Sequence, residues 1–498
     1  MLASSSRICT WQRLNSSVIN KLNKIYLMKK TLTLAALSLC AFLPQAFAQN
    51  DDPDSKYIRN SVYMIKLDMP VDNPNYAIGF DVIDKTFDGI DFARRYERYN
   101  DFALTARHID WNLIDKVEES EYEMLNAYCA PSVRFEVLNE ESKMVNADII
   151  KFLEDAGFSP DTRHDEDYAG AIIKYLLKEA VANKLVAKWH NKPGTAEGTA
   201  DFDDNLSTIM ELGLRGLSEE AKANARVIEN LTNLAAGSEN KLLGNTYVCF
   251  TRYYFSTAEE ANAPIVAPLK KQLDKSDNLL LSAGLQGAID AAMAALKGYF
   301  VCVNAYLFRL EWNKDLYNDF YTNKWGDAAS FFEKADYRLV YVGKSAKRAP
   351  ASLSMKPDAN LDELIRRATL RGTDAAFAAL QRDYEEFRPM CSLHVIDGKL
   401  GAYIGMKEGI KEGDRFEVFE AVASKDDPNL VDWKSVGKIK VAKNCLWDNR
   451  EGAGEALDGE AVDMNEKKVK GNSQLGCTFF EGKVGKFGEG NLIRLSGR

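Results

Sequence analysis

The chain has 498 residues, a formal net charge of −9 and an ordinary globular composition, 46% hydrophobic and 28% charged. An acidic balance of this kind argues against non-specific nucleic-acid binding, which draws on clustered Lys and Arg. At ~150 residues per domain there is room for two to four domains, each with a sizeable core.

Met28-Lys29-Lys30 reads as a second start: a basic segment, then an apolar run from Thr31 to Leu43, then the small-x-small pattern Ala46-Phe47-Ala48. This layout predicts a signal peptide over residues 28–48, a mature start at Gln49, and an upstream extension over residues 1–27. The apolar run is shorter than the roughly 20 residues a membrane span needs, and no later stretch is long enough to cross as a helix. Removing residues 1–48 takes away six basic side chains and no acidic one, so the net charge falls from −9 to −15. The expectation is an exported chain, periplasmic, with the outer surface or the extracellular space as alternatives.

Residues 49–56 form an acidic, Pro-containing linker before a region of mixed character, 57–245. Tyr57–Met69 has the apolar weight of a strand. Residues 70–125 give no clear pattern. Asn146–Ala156 carries a helical stripe of Ile149, Ile150, Phe152 and Leu153, stopped by Gly157. Ala169–Trp189 is the clearest helix, with Ile172, Ile173, Leu176, Leu177 and Ala180 at helical spacing. The Gly/Thr/Asp-rich stretch 194–204 reads as a loop, and Ser218–Ala236 as a further helix with Ser218 at its N-cap.

Residues 246–345 read as strand, helices, strand. Tyr299–Trp312 is the most strand-like run in the chain, dense in aromatic and β-branched residues. It has an echo: Val248–Phe255 repeats the Val, Cys, Tyr and Phe of Val301–Phe308 at the same offsets. With a side-chain period of 2, Cys249, Thr251, Tyr253 and Phe255 share one face, as do Cys302, Asn304, Tyr306 and Phe308. Between the echoes lie a short helix near Pro264–Leu273 and an Ala-rich one over Leu280–Leu296, expected to pack on the sheet. A short aromatic helix over Asp315–Trp325 and a strand at Tyr337–Val342 follow. In an oxidising compartment the echo makes Cys249 and Cys302 the first candidate disulfide, if their Cα atoms come within ~7 Å. The competing reading is two small buried hydrophobes.

Residues 346–389 read as a helical connector. One helix opens at the capping-box-like Asn360–Glu363 and is interrupted by Gly372; a second spans Asp374–Phe387 and ends at Pro389. Residues 390–498 are β-rich: glycine turns at Gly409 and Gly413 lead into Arg415–Ala421, and Val436–Val441 alternates apolar with Lys, as in a small barrel. The segment GIKEGDRFEVFE followed by VGKIKV resembles the small C-terminal β-domain of flagellar assembly protein T and related envelope assembly factors, through a Gly-x-x-x-Gly-Asp turn and a Gly-x-x-x-Val strand. The likeness covers about Cys391–Val441. It implies an assembly or interaction module and carries over no catalytic residue. The upstream regions resemble exported Gram-negative proteins of unknown function.

The familiar catalytic patterns are missing: no phosphate-binding Gly-x-x-x-x-Gly-Lys loop, no Gly-x-Ser-x-Gly elbow, no His-Glu-x-x-His helix and no Cys-x-x-Cys. Asp201, Asp203 and Asn205 open like a calcium loop, but Leu206 and Leu212 stand where Gly and Glu are needed. His164-Asp165-Glu166-Asp167 pairs an imidazole with carboxylates, yet consecutive residues do not converge on one ion; acids before a helix suit its positive end. His190, closing the strong helix, is expected to serve its C-terminal carbonyls. Trp447, Asp448 and Arg450 form a possible interaction surface for sugar or peptide, set against an ordinary turn with Arg450 paired to Asp448.

Together these readings predict an α+β chain with a barrel-like β-rich end, no cofactor or metal, and no nucleic-acid partner. The function expected is non-catalytic binding or assembly with other envelope proteins. The alternatives are a glycan or peptide hydrolase built on a carboxylate pair, and a glycan or small-ligand binder using the aromatic clusters.

Overall fold

The computed structural model describes residues 61–70, 77–90, 107–192, 194–203, 243–295, 299–351, 360–423, 431–451, 453 and 471–497. The expected signal peptide and linker, the helix expected over Ser218–Ala236, and Asn205 lie outside them. The fold is α+β, built on two sheets.

The first sheet is five-stranded and mixed. Its strands are β1 (Ser61–Asp68), β2 (His108–Asp110), β3 (Thr246–Thr257), β4 (Tyr299–Leu310) and β5 (Leu339–Pro350), in the order β2-β1-β3-β4-β5. β1 is parallel to both β2 and β3, whereas β3–β4 and β4–β5 are antiparallel. The sheet is covered on both faces, so its strands are apolar on both sides. Tyr63, Ile65, Leu67, Phe250, Phe308 and Tyr341 enter one core. Val62, Met64, Cys249, Val303, Leu307 and Val342 enter the other.

Helices close each face. α1 (Phe80–Asp88) adds Ile83 and Phe87 to the second core. α2 (Glu140–Asp155) lies at the periphery and buries no residue fully. α3 (Asp165–Lys178) and α4 (Val181–His190) cover the first face with Ile172, Ile173, Leu185 and Val186. The sequence predicts one helix here; the structure breaks it at Ala180, whose φ of 47° is left-handed. The break re-aims the second half, so that Leu185 and Trp189 stay buried.

Between β3 and β4 rise α5 (Ala258–Asp274) and α6 (Leu279–Ala295). α5 holds Pro264 and Pro268 inside its length and is capped by Thr257 and Glu260 in a reciprocal capping box. After β4 comes α7 (Lys314–Asp319), continued by a π-turn over Phe320–Lys324. The connector is one helix, α8 (Leu361–Asp383), not two. Gly372 does not interrupt it. A Cβ there would come 2.8 Å from Cγ2 of Val303, so the glycine lets α8 lie close on β4.

The second sheet is seven-stranded, antiparallel and nearly closed. It comprises β6 (Met390–Ser392), β7 (His394–Ile396), β8 (Lys399–Ala402), β9 (Arg415–Ala423), β10 (Val431–Val441), β11 (Thr478–Glu481) and β12 (Leu492–Leu495), in the order β6-β12-β9-β10-β11-β8-β7. Phe416, Val418, Ile439, Val441, Phe480 and Ile493 fill its interior. Arg382 at the end of α8 reaches both oxygens of Asp414 at 2.7 and 2.9 Å, tying the connector to this sheet.

Candidate functional site

Four places gather the polar or uncovered groups that a function could use. The first is a lysine-centred cluster on the second face of the mixed sheet. Lys66 and Asp68 alternate onto that face at the end of β1, His108 lies beside Lys66 in β2, and α1 brings Asp84 and Asp88 one turn apart. Lys66 is only 2% exposed, and its Nζ lies 2.5 Å from Asp68 Oδ1 and 2.7 Å from Asp84 Oδ1. His108 places Nδ1 3.0 Å from Asp68 and Nε2 2.8 Å from Asp88. Both ring nitrogens face carboxylates, an arrangement best met by imidazolium, which donates from both. Burial opposes that charge, yet the bonds to Asp68 and Asp88 outweigh it and raise the His108 pKa. Asp84 is also raised, by burial above all, against the pull of Lys66.

Ligand atoms of Asp68, Asp84 and His108 lie within 4.8 Å of one another, a set that suits a divalent ion. The Lys66 ammonium already stands between the two carboxylates, so the protein supplies the cation itself. Sequence reading missed this cluster: Lys66 and Asp68 look like ordinary strand alternation, and Asp84, Asp88 and His108 fall in the stretch without a pattern.

The second place is the start of α3. His164 is its N-cap residue and its backbone N–H donates to Asp167 at 2.8 Å, so the acidic cluster is a helix start, as its sequence position suggests. Asp165 does more than favour the dipole. It accepts from Asn304 at 3.1 Å, Tyr306 at 2.9 Å and Lys344 at 3.0 Å, which pins α3 to β4 and β5. Beside it, Arg252 stacks 3.9 Å over the Tyr168 ring and pairs with Asp161 at 2.7 Å. Asp161 also accepts from Arg163 at 2.9 Å and from the Tyr168 hydroxyl. Burial works against its charge, but the two guanidiniums prevail and hold its carboxyl down at about 2. This network anchors a helix. His190 behaves as expected at the end of α4: its Nδ1 lies 2.8 Å from the Val186 carbonyl, and the ring packs on Phe320.

The third place is the turn after β10. Arg450 bonds both oxygens of Asp448, at 2.8 and 2.7 Å, and Trp447 packs half-buried beside Leu475, Cys477 and Phe479. The ordinary-turn arrangement of Arg450 with Asp448 is the one present. The Cys249–Cys302 pairing is corrected. The strands are neighbours, but Cys249 lies opposite Leu307 and Cys302 opposite Tyr254. The two therefore point to opposite faces, and each is a small buried hydrophobe.

The fourth place is the α5–α6 hairpin. The sequence suggests a helix layer on the sheet; α5 meets it, Ala261 packing with Phe300 and Cys302, but α6 packs against α5 instead. Leu285, Ile289 and Met293 turn half-buried toward the hairpin's inner side, where Asn262 Nδ2 donates to the Ala292 carbonyl at 3.1 Å. The opposite side is open. Leu279 and Leu280 are 88% and 86% exposed, followed by Leu281, Ala283, Gly284, Gly287, Ala288 and Ala291. A Cβ added at Gly284 or Gly287 would meet nothing within 4 Å. Gln286 bonds Asp290 along the one polar line of the helix.

Among the described residues, no helix is long and apolar enough to cross a membrane. No protein-family model matches the chain, and no curated protein matches it.

Proposed function

We propose that this is an exported, non-catalytic protein of the bacterial envelope that binds another envelope protein through the α5–α6 hairpin. The observation that carries the reading is topological. β3 and β4 are antiparallel neighbours, which a two-residue turn can join; a long crossover is required only between parallel strands. Residues 258–298 are thus not needed to connect the sheet, and they end in an apolar helix face left in water. An uncovered apolar patch marks an interaction site.

The occupant proposed is an amphipathic helix of a partner protein. Gly284, Gly287, Ala288 and Ala291 make a shallow face, and small residues at a crossing let helix axes approach closely. Residues 279–295 contain no Lys or Arg and one acid, Asp290. That balance is unsuited to an anionic lipid surface, which recruits basic helices, and it calls for a basic residue beside the partner's apolar stripe. The resemblance of the C-terminal β-domain to assembly factors agrees with this reading. The hydrolase alternative would use Asp84, whose carboxyl is raised, as a proton donor; the Lys66 ammonium bound to the same group opposes that role.

The test places a photo-crosslinking amino acid at Ala288 in the exported protein, followed by direct binding of the purified partner and of its cross-linked helix. The expected result is one envelope protein whose isolated helix binds, with at least tenfold loss for Gly287→Glu and for Leu280→Asp. Equal binding by these variants, or cross-links only to a second copy or to lipid, would overturn the proposal.

A further inference from the structure

Cys445 and Cys477 come together at the base of the C-terminal sheet. Two backbone bonds lay the chain at Cys445 alongside β11: the Ala442 N–H donates to the Phe479 carbonyl at 3.0 Å, and the Phe479 N–H donates to the Cys445 carbonyl at 3.1 Å. The Trp447 N–H donates to Thr478 Oγ1 at 3.1 Å, which holds the same two segments in register. Cys477 belongs to a small apolar cluster with Leu475 and Phe479, and Cys445 packs against that cluster. Cys477 is buried, whereas Cys445 is half-exposed.

We propose that Cys445 and Cys477 are the pair this protein oxidises to a disulfide, joining the strand-edge segment after β10 to the start of β11. The proposal rests on export, because a disulfide persists only in an oxidising compartment. It differs from the pairing suggested by the sequence echo, which the register of β3 and β4 forbids.

The oxidant is a disulfide donor, either a small-molecule or a protein disulfide, and the reaction has two exchanges. The thiolate of half-exposed Cys445 attacks one donor sulfur, the donor S–S bond breaks, and one donor thiolate leaves and takes up a proton. Cys477 then gives its proton to solvent, and its thiolate attacks the Cys445 sulfur of the mixed disulfide. The second donor thiolate leaves. Two electrons pass from the two cysteines to the donor, and two donor thiols are released. Burial pushes the Cys477 thiol up to about 12, with Asp397 and then Cys445 adding to the rise. A buried thiol this reluctant to ionise makes the second exchange the slow one.

The test uses the reduced full chain with oxidised glutathione at pH 8, trapped by acid at intervals. Non-reducing peptide mapping is expected to show glutathione first on Cys445, then a Cys445–Cys477 link with two fewer thiols per chain. Cys477→Ser should stop at the glutathione adduct. Cys445→Ser should give no link to Cys477. A link from Cys445 or Cys477 to any other cysteine, or an unchanged thiol count, would overturn the pairing. The same map on protein taken from cells and alkylated at once separates the two ideas. A link in vitro with reduced thiols in cells keeps the pairing and counts against export; no link in either sinks the pairing.

Discussion

Replacing Asp161 by Asn tests the anchor beneath α3. In the native chain its carboxyl pKa is about 2, against an ordinary value of 3.8, although burial alone would raise it. A depressed acid adds stability that is present above its unfolded pKa and lost as pH falls through its folded pKa. Holding the carboxyl that far below its ordinary value is equivalent to roughly 2.5 kcal/mol of stability at pH 7. The Asp161 side chain is 19% exposed, so solvent screens it little. The substitution also strands Arg252, 7% exposed, without its carboxylate; breaking a buried pair in this way costs about 3–5 kcal/mol. The expected loss is therefore about 2–5 kcal/mol at neutral pH. Urea denaturation followed by near-ultraviolet circular dichroism reports on it directly, since Trp111 and Tyr168 pack 4.7 Å apart beside the network. The gap between wild type and Asp161→Asn should be flat above about pH 5 and should shrink steadily between pH 4 and pH 2. A gap below about 1 kcal/mol at pH 7, or one as large at pH 2.5 as at pH 7, would refute the reasoning.

Two further substitutions probe the mixed sheet. Lys66→Met removes the ammonium held between Asp68 and Asp84 and should destabilise by about 3–5 kcal/mol. The double variant Lys66→Met/Asp84→Leu should recover part of that loss in thermal denaturation. A single variant that melts with the wild type would show that the cluster is not held by its lysine. Gly343 lies at the β4–β5 bulge with φ of 152°, and a Cβ there would fall 2.0 Å from the Tyr384 hydroxyl. Gly343→Ala must push that ring out of its bonds with the Lys344 backbone, made at 3.0 and 3.2 Å. A cost of about 1–3 kcal/mol is expected, together with faster hydrogen exchange at the Lys344 amide. Unchanged exchange would show that the ring is not displaced.

Elements with a single strong local signal were legible. β3 and β4 announce themselves through aromatic and β-branched density, and the stripe of α3 runs from Ile172 to Leu176. The acids after His164 mark a helix start. Where tertiary contact overrides local preference, the reading failed. Ala180 gives no sign of left-handed backbone. Gly372 carries a breaker's signal, yet its missing Cβ is what seats α8 against Val303. The lysine cluster was hidden for a related reason. Its residues are 66, 68, 84, 88 and 108, and no short motif spans two strands and a helix.

The α5–α6 hairpin shows the limit most clearly, because its sequence is consistent with two opposite structures. A strand, an Ala- and Leu-rich helix and a second strand describe a buried crossover if the strands are parallel. They describe a free excursion if the strands are adjacent and antiparallel. Leu279, Leu280 and Leu281 look like core residues under the first topology and stand in solvent under the second. The deciding fact is the pairing of Cys249 with Leu307 and of Tyr254 with Cys302. That register is written in side chains dispersed over both faces of the sheet. The same register sends the two echo cysteines to opposite faces of the sheet and leaves α6 resting on α5, with its outer side in solvent. One unreadable quantity, strand direction, therefore governs both the failed disulfide and the candidate binding surface.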